Sequence, residues 1–341
     1  MRPSYYPRLI NNPFDDPGII VPFSFENRSM LFDIGDITSL SARDILKISH
    51  VFISHTHMDH FAGFDRLLRL FLGRDKEIFL YGPPGFIKNV EGKLAAYSWN
   101  LVKNYQNRFS LNVAEVHPAS LVSRRYYCHK SFKPDKAVIH QYFNNIILHE
   151  PELSVSAVSL DHGIPCLGFS LKERFHVNIQ KNRIEELNLK PGIWINRFKQ
   201  AIYNNDDLNS DFEIIQAGEG KNRKFNLGKL AEQIALITPG QKITYITDAA
   251  YTISNIKKII CLAKDSDFLF IEAAFLDKDK DTAFNKLHLT ARQAGTLAGQ
   301  ANVKKFIIFH FSPRYSGMEE QIYMEAVNAY ELVKKENNIQ A

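Results

Sequence analysis

Cysteine is scarce in this chain: Cys128, Cys166 and Cys261 are the only three in 341 residues, and none forms a C-x-x-C pair. That excludes a disulfide framework and a cysteine-based zinc site, and it fits a reducing, cytoplasmic setting. Long apolar runs are also missing. None approaches the roughly 18 residues that span a bilayer, and Met1-Arg2-Pro3-Ser4-Tyr5-Tyr6-Pro7 lacks the apolar core of a secretory signal, so no membrane partner is expected. No Gly/Ser linker or low-complexity tract divides the chain, which argues for one domain over residues 1–341. Charge of one sign is only weakly in excess, at +5. Such a balance permits a phosphate-rich partner without demanding one. The remainder is ordinary globular composition, 45% hydrophobic and 23% charged, long enough to bury a substantial core.

The informative stretch is Ile53-Ser54-His55-Thr56-His57-Met58-Asp59-His60. An apolar run, His50-Val51-Phe52-Ile53, precedes it and reads as a strand; Phe64, Leu67, Leu68, Phe71 and Leu72 follow at helical spacing. His55 and His57 point the same way in extended chain, because side chains alternate at period two. Asp59 and His60 fall where the chain turns into the helix, so they can face the same point from its other side. Imidazole and carboxylate suit zinc and its divalent neighbours, and four such groups are enough to start two adjacent metal sites. This H-x-H-x-D-H pattern resembles the signature of the metallo-β-lactamase superfamily of metal-dependent hydrolases.

Other strands also end in chemistry. Ser29 to Phe32 reads as a buried strand closing on Asp33, with Gly35 allowing a bend; Asp33 is expected to hold the far ring nitrogen of a metal-bound histidine. Alternation at Leu153, Val155, Ala157, Val158 and Leu160 leads to His162. Lys242 to Thr247 leads to Asp248, Asp267 to Ile271 to Glu272, and Lys305 to Phe309 to His310, while His288 precedes a helix. Two stretches lack a clean period and are expected to be insertions. Residues 117–150 interleave Arg124, Arg125, Lys130, Lys133 and Lys136 with Tyr126, Tyr127, Phe132 and Tyr142, a composition able to clamp nucleic acid or simply to solvate a loop. Residues 172–224 are polar and cationic, with Lys221 among their basic residues, and read as a substrate arm, a lid or a solvated excursion.

Collected, the strand-end groups make two sets sharing a carboxylate. One metal would take His55, His57 and His162, the other Asp59, His60 and His310, with Asp248 bridging. Two divalent cations about 3.5–4 Å apart hold a hydroxide at neutral pH and stabilise both oxygens of an in-line displacement, which suits phosphodiester hydrolysis. His288 is then a candidate general acid with Glu272 orienting it.

The resemblance narrows to the ribonuclease Z family. The matching pieces run in order: LFDIGD with Asp33, IFISHTHMDH, LYGPPG, LDHGIPCLGF with His162, YITDA with Asp248, IEAAF with Glu272, LHLTARQA with His288, and FHFSPRY ending at Tyr315. The resemblance implies an α/β fold of four layers, the αββα sandwich, two divalent ions (Zn2+, with Mn2+ or Fe2+ as alternatives), and cleavage of the 3′ trailer from precursor tRNA. It also implies a homodimer, with Asp59, Glu272 and His288 catalytic and the seven residues above as ligands. Arg314 and Tyr315 are candidates for holding a phosphate. The chain departs from the family at Ala249 after the bridging carboxylate, at Ile271-Glu272-Ala273-Ala274, at the Pro/Asn-rich start, and at Leu189-Lys190-Pro191-Gly192 with Ile193 following. Hydrolysis of a small phosphodiester such as a cyclic nucleotide, and a non-catalytic RNA-binding protein on the same fold, are the alternative readings.

Overall fold

The alternating and fully apolar runs pair into two large sheets. In the computed structural model, which describes residues 3–135, 138–215 and 222–340, Lys136 and Lys221 lie outside the described residues. One sheet runs in chain order: β1 (Arg8–Leu9), β2 (Ile19–Pro22), β3 (Ser29–Phe32), β4 (Ile48–Phe52), β5 (Lys76–Gly82), β6 (Phe109–Val116), β7 (Ser120–Tyr127) and β8 (Ile139–Tyr142). Its middle, β3 to β6, is parallel. Next come β9 (Ile146–His149), β10 (Leu153–Asp161) and β11 (Pro165–Glu173). Two short antiparallel pairs follow, made by β12 (Phe175–Ile179) with β15 (Ala235–Pro239), and by β13 (Asp211–Ile215) with β14 (Asn222–Asn226). Finally β16 (Lys242–Ile246), β17 (Phe268–Glu272) and β18 (Phe306–Phe309) are parallel neighbours. The second sheet has the order β18-β17-β16-β11-β10-β9.

Aromatic rings fill the space between the sheets. Phe32 and Phe52 stack at 4.8 Å on the first, and both meet Phe169 of the second, at 5.8 and 5.7 Å. Tyr245 lies 6.0 Å from Phe32. The opposite faces carry the aliphatic residues of the same strands. Leu31, Val51, Ile78, Leu80 and Leu111 cluster with Phe64, Leu67, Leu68 and Phe71 of the helix Phe64–Phe71 and with Phe86 and Val90 of the helix Phe86–Ala95. On the second sheet Ile246, Leu269, Ile271 and Ile308 cluster with Ile259, Ala294, Leu297 and Ile322 of three covering helices. Each of the larger side chains, Val, Leu, Ile or Phe, removed from water contributes about 1.5–3 kcal/mol. The result is the four-layer αββα arrangement.

The described residues fall into two compact units, the larger within 4–147, 155–171 and 242–340, the smaller within 3, 148–154 and 172–241. The smaller unit corrects the reading of 172–224 as lacking a core pattern. Trp194, Phe198, Ala201 and Ile202 of the helix Trp194–Asn204 pack with Val177, Ile184, Phe212, Leu230 and Ile234. Its apolar residues recur at helical spacing, but the many lysines and arginines between them dilute the pattern. The aperiodic stretch 117–150 contains β7, β8 and β9, not a featureless loop. At a sheet edge both faces are partly wet, so the chain has no reason to alternate. No described helix is long and apolar enough to cross a membrane.

Candidate metal centre

Parallel strands deliver their C-terminal ends to one edge, the place where open α/β sheets build sites. Phe32 is in register with Phe52, Ile246 with Ile271, and Glu272 with Phe309. The residues just beyond, Asp33, Ile53 to His57, Asp248 and His310, therefore emerge together. Asp33 and His310 leave their strands with φ of 56° and 63°, a left-handed turn that re-aims the side chain. The turn carrying Asp59 lies so close to the Asp33 loop that a Cβ on Gly35 would sit 1.8 Å from the Asp59 carbonyl oxygen. Gly35 is thus required for close approach and not, as the sequence suggested, for a bend.

Asp248 is at the middle of the cluster. Its Oδ2 is 3.7 Å from His55 Nε2 and 3.3 Å from His162 Nε2, and its Oδ1 is 3.6 Å from His60 Nε2 and 3.2 Å from His310 Nδ1. Ligand-type atoms of His55, His57, His162 and Asp248 all lie within 4.8 Å of one another, as do those of Asp59, His60 and His310. Asp248, Glu272, His288 and His310 form a third such group. All seven proposed ligands, with Glu272 and His288, are brought into one place.

The outer nitrogens are held by the protein. His60 Nδ1 donates to Asp33 Oδ2 at 2.9 Å, and His162 Nδ1 donates to the Leu287 carbonyl at 2.9 Å. Ser54 donates its backbone N–H and its hydroxyl to the two Asp33 oxygens, each at 2.7 Å, and Tyr245 adds its hydroxyl at 2.9 Å. With its proton on Asp33, Ser54 Oγ accepts from His55 Nδ1–H at 3.0 Å. These Nδ1 contacts turn the Nε2 atoms of His55, His60 and His162 towards the cluster. Ser54 and Tyr245 carried no signal of their own in the sequence beyond lying near His55 and Asp248.

Electrostatics point the same way. Burial drives His55 down to about 2, with the neighbouring His60 adding to it, so that its imidazole is neutral as a ligand must be. For His310, burial opposes the charged form, yet the Asp248, Asp59 and Glu272 carboxylates outweigh it and hold the group at about 10. His60 is likewise pushed well above its ordinary value, against burial, by Asp248 and Asp33. Asp248 itself is buried, which favours the neutral acid, but His310 and His60 keep it well below the carboxylate range. The carboxylates gathered here favour positive charge at the centre of the cluster.

The donor set fits divalent ions. His60 Nε2 and His310 Nδ1 are buried and make no hydrogen bond among the described residues, although each lies within 3.6 Å of an Asp248 oxygen. Nitrogens near a carboxylate but misaligned for a hydrogen bond converge on a shared point, as ligands of an ion do. The six nitrogen and oxygen donors flanking Asp248 are those that accept zinc, manganese or iron.

Beside the cluster His288 Nδ1 is 3.0 Å from Glu272 Oε2, while Glu272 Oε1 accepts the Ala249 N–H at 2.8 Å. Burial lowers the imidazole, but the Glu272 carboxylate more than compensates and raises it above its ordinary value. Arg314 and Tyr315 are elsewhere engaged. Tyr315 is buried with its hydroxyl on Asp279, and the Arg314 guanidinium lies over the Phe275 ring at 5.3 Å. In the 117–150 stretch, Arg124 pairs with Glu91 and Arg125 with Glu77, and Lys130 covers Tyr127. A cleft of about 260 Å3 opens onto Asp59, His288 and His310, with Phe14, Asp16 and Lys286 on its other walls. Nothing in one dimension singled out Phe14, Asp16 or Lys286, except that Lys286 stands two residues before His288.

No protein-family model matches the chain. A protein named ribonuclease Z from Deinococcus radiodurans is 29% identical over 303 residues, 88% of this chain and 87% of that protein. Among solved structures, the metallo-beta-lactamase fold protein YhfI from Bacillus subtilis aligns over 95% of this chain and 92% of its own, with a TM-score of 0.53 at 13% identity. The short form of human tRNase Z aligns over 91% and 93%, with a TM-score of 0.51 at 18% identity. The chain is a relative of the ribonuclease Z proteins, built on the metallo-β-lactamase fold.

Proposed function

We propose that the protein is a dinuclear metal-dependent phosphodiesterase of the ribonuclease Z type, an endoribonuclease that removes the 3′ trailer of precursor tRNA. One observation carries this reading: a buried Asp248 with three histidines to one side and Asp59, His60 and His310 to the other, next to a His288–Glu272 pair. The similarity to proteins named ribonuclease Z and to a structure named tRNase Z supports an RNA substrate. Zinc is the proposed ion, with His55, His57 and His162 holding one, Asp59, His60 and His310 the second, and Asp248 shared. When bound, such a pair supplies Lewis acidity and activates water at neutral pH.

The chain's own groups account for the rest. Asp33, through Ser54 and His60, sets the orientation of two ligand imidazoles. His288, whose charged form is favoured by Glu272, gives its proton to the departing sugar oxygen, and Asp59 belongs to both ligand set and catalytic wall. Residues 172–224 are proposed as the element that contacts the body of the RNA, in a single hydrolase chain that works as a cytoplasmic homodimer.

The test is incubation of zinc-loaded protein with a precursor tRNA and mapping of the ends. Cleavage next to the discriminator base is expected. Hydrolysis of bis(p-nitrophenyl) phosphate without any RNA cleavage would leave a phosphodiesterase and remove the tRNA.

A further inference from the structure

The cleft beside the metal centre has one lysine and no arginine in its lining. Lys286 faces it together with Asp59, His288 and His310, and it is the only lysine or arginine among the lining residues. Asp15 and Asp16 share the cleft, yet among the described residues Lys286 makes no ion pair, side-chain hydrogen bond or ring contact. Arg314, close by in the chain to the cleft residues Ser312 and Pro313, is engaged with the ring of Phe275. The backbone around Lys286 is well anchored. Its N–H donates to the Thr282 carbonyl at 3.0 Å, the His288 N–H to Ala283 at 2.9 Å, and the intervening Leu287 carbonyl accepts from His162. The backbone of Lys286 is therefore held two residues from His288, and its side chain is exposed.

Resting on the phosphodiesterase reading, we propose that Lys286 binds the phosphate adjacent to the one cleaved, which makes a polynucleotide strand, and not an isolated phosphodiester, the substrate of this cleft. A lysine ammonium is a compact point charge suited to a phosphate oxygen. The neighbouring carboxylates of Asp15 and Asp16 disfavour a phosphate anywhere else in the cleft, so the strand has one register in which its charge is matched.

The experiment uses the zinc-loaded protein and an RNA it cleaves, made with a neutral methylphosphonate at either phosphate flanking the scissile one. Lys286→Ala raises KM about ten-fold, the loss of one charge-assisted contact, with Lys286→Arg restoring most of it. The slope of log(kcat/KM) against log salt falls by about 0.7, one single-strand phosphate contact. In the wild type one methylphosphonate position raises KM by a similar factor, and in Lys286→Ala that same position adds nothing further. Additive losses at both positions, or a fall in kcat with KM unmoved, overturn the inference. Wild-type protein that cleaves neither RNA nor bis(p-nitrophenyl) phosphate overturns the phosphodiesterase reading itself, and is seen before any variant is made.

Discussion

Replacing Gly35 by alanine tests how tightly the metal-ligand turn is seated. The added Cβ would lie 1.8 Å from the Asp59 carbonyl oxygen and 2.5 Å from the Asp16 Cβ. Side-chain carbons essentially never approach closer than 3.0 Å, so the backbone at Asp59 must retreat by more than an ångström. Metal ligands tolerate about 0.2 Å, and a misplacement near 1 Å costs on the order of 100-fold in function. Gly35→Ala should therefore weaken zinc binding by roughly 100-fold, read by competition with a chelator, and cut phosphodiesterase activity similarly. Overpacking should also destabilise the metal-free protein by about 1–3 kcal/mol in denaturant. Gly92 gives the control. It is exposed in the helix Phe86–Ala95, and a Cβ added there would meet nothing within 4 Å, so Gly92→Ala should stabilise by about 0.5–1 kcal/mol. Wild-type zinc affinity and stability in Gly35→Ala would refute the close-approach argument.

Glu272→Gln removes the carboxylate that raises His288, so the alkaline limb of the kcat profile should move to lower pH and kcat should fall by about 100- to 10,000-fold; an unmoved limb means another group is the acid. Asp33→Asn keeps the shape but not the charge that orients His60 and, through Ser54, His55, and zinc affinity should drop about 10- to 100-fold in a chelator titration. Loading the metal-free protein with zinc should release protons, since carboxylates keep His60 and His310 protonated above neutrality. Affinity should accordingly rise with pH, measured by calorimetry in two buffers of different ionisation enthalpy.

Glu272 and His288 illustrate how far local sequence reaches. Strands that end in His or Asp are visible in one dimension, because apolar runs and polar stops are both local, and His55 to His60 declares ligand chemistry by residue type alone. The four-layer architecture was implied by the resemblance that these motifs carry, not by the order of strands and helices alone. Which strand ends meet is a different matter. Asp33 and Tyr245 are 212 positions apart, and only the packing of the two sheets puts one hydroxyl on one carboxylate. The role of Gly35 depends on an oxygen from the turn at Asp59, and the core around Trp194 and Phe198 was hidden by the charged residues spaced between its members. Lys286 became noticeable only once a cleft existed for it to face. Residue type and periodicity thus determined the elements and the kind of chemistry, since both depend on neighbours in the chain. Distances, protonation and accessibility belong to the folded structure, because they depend on groups that folding alone brings together.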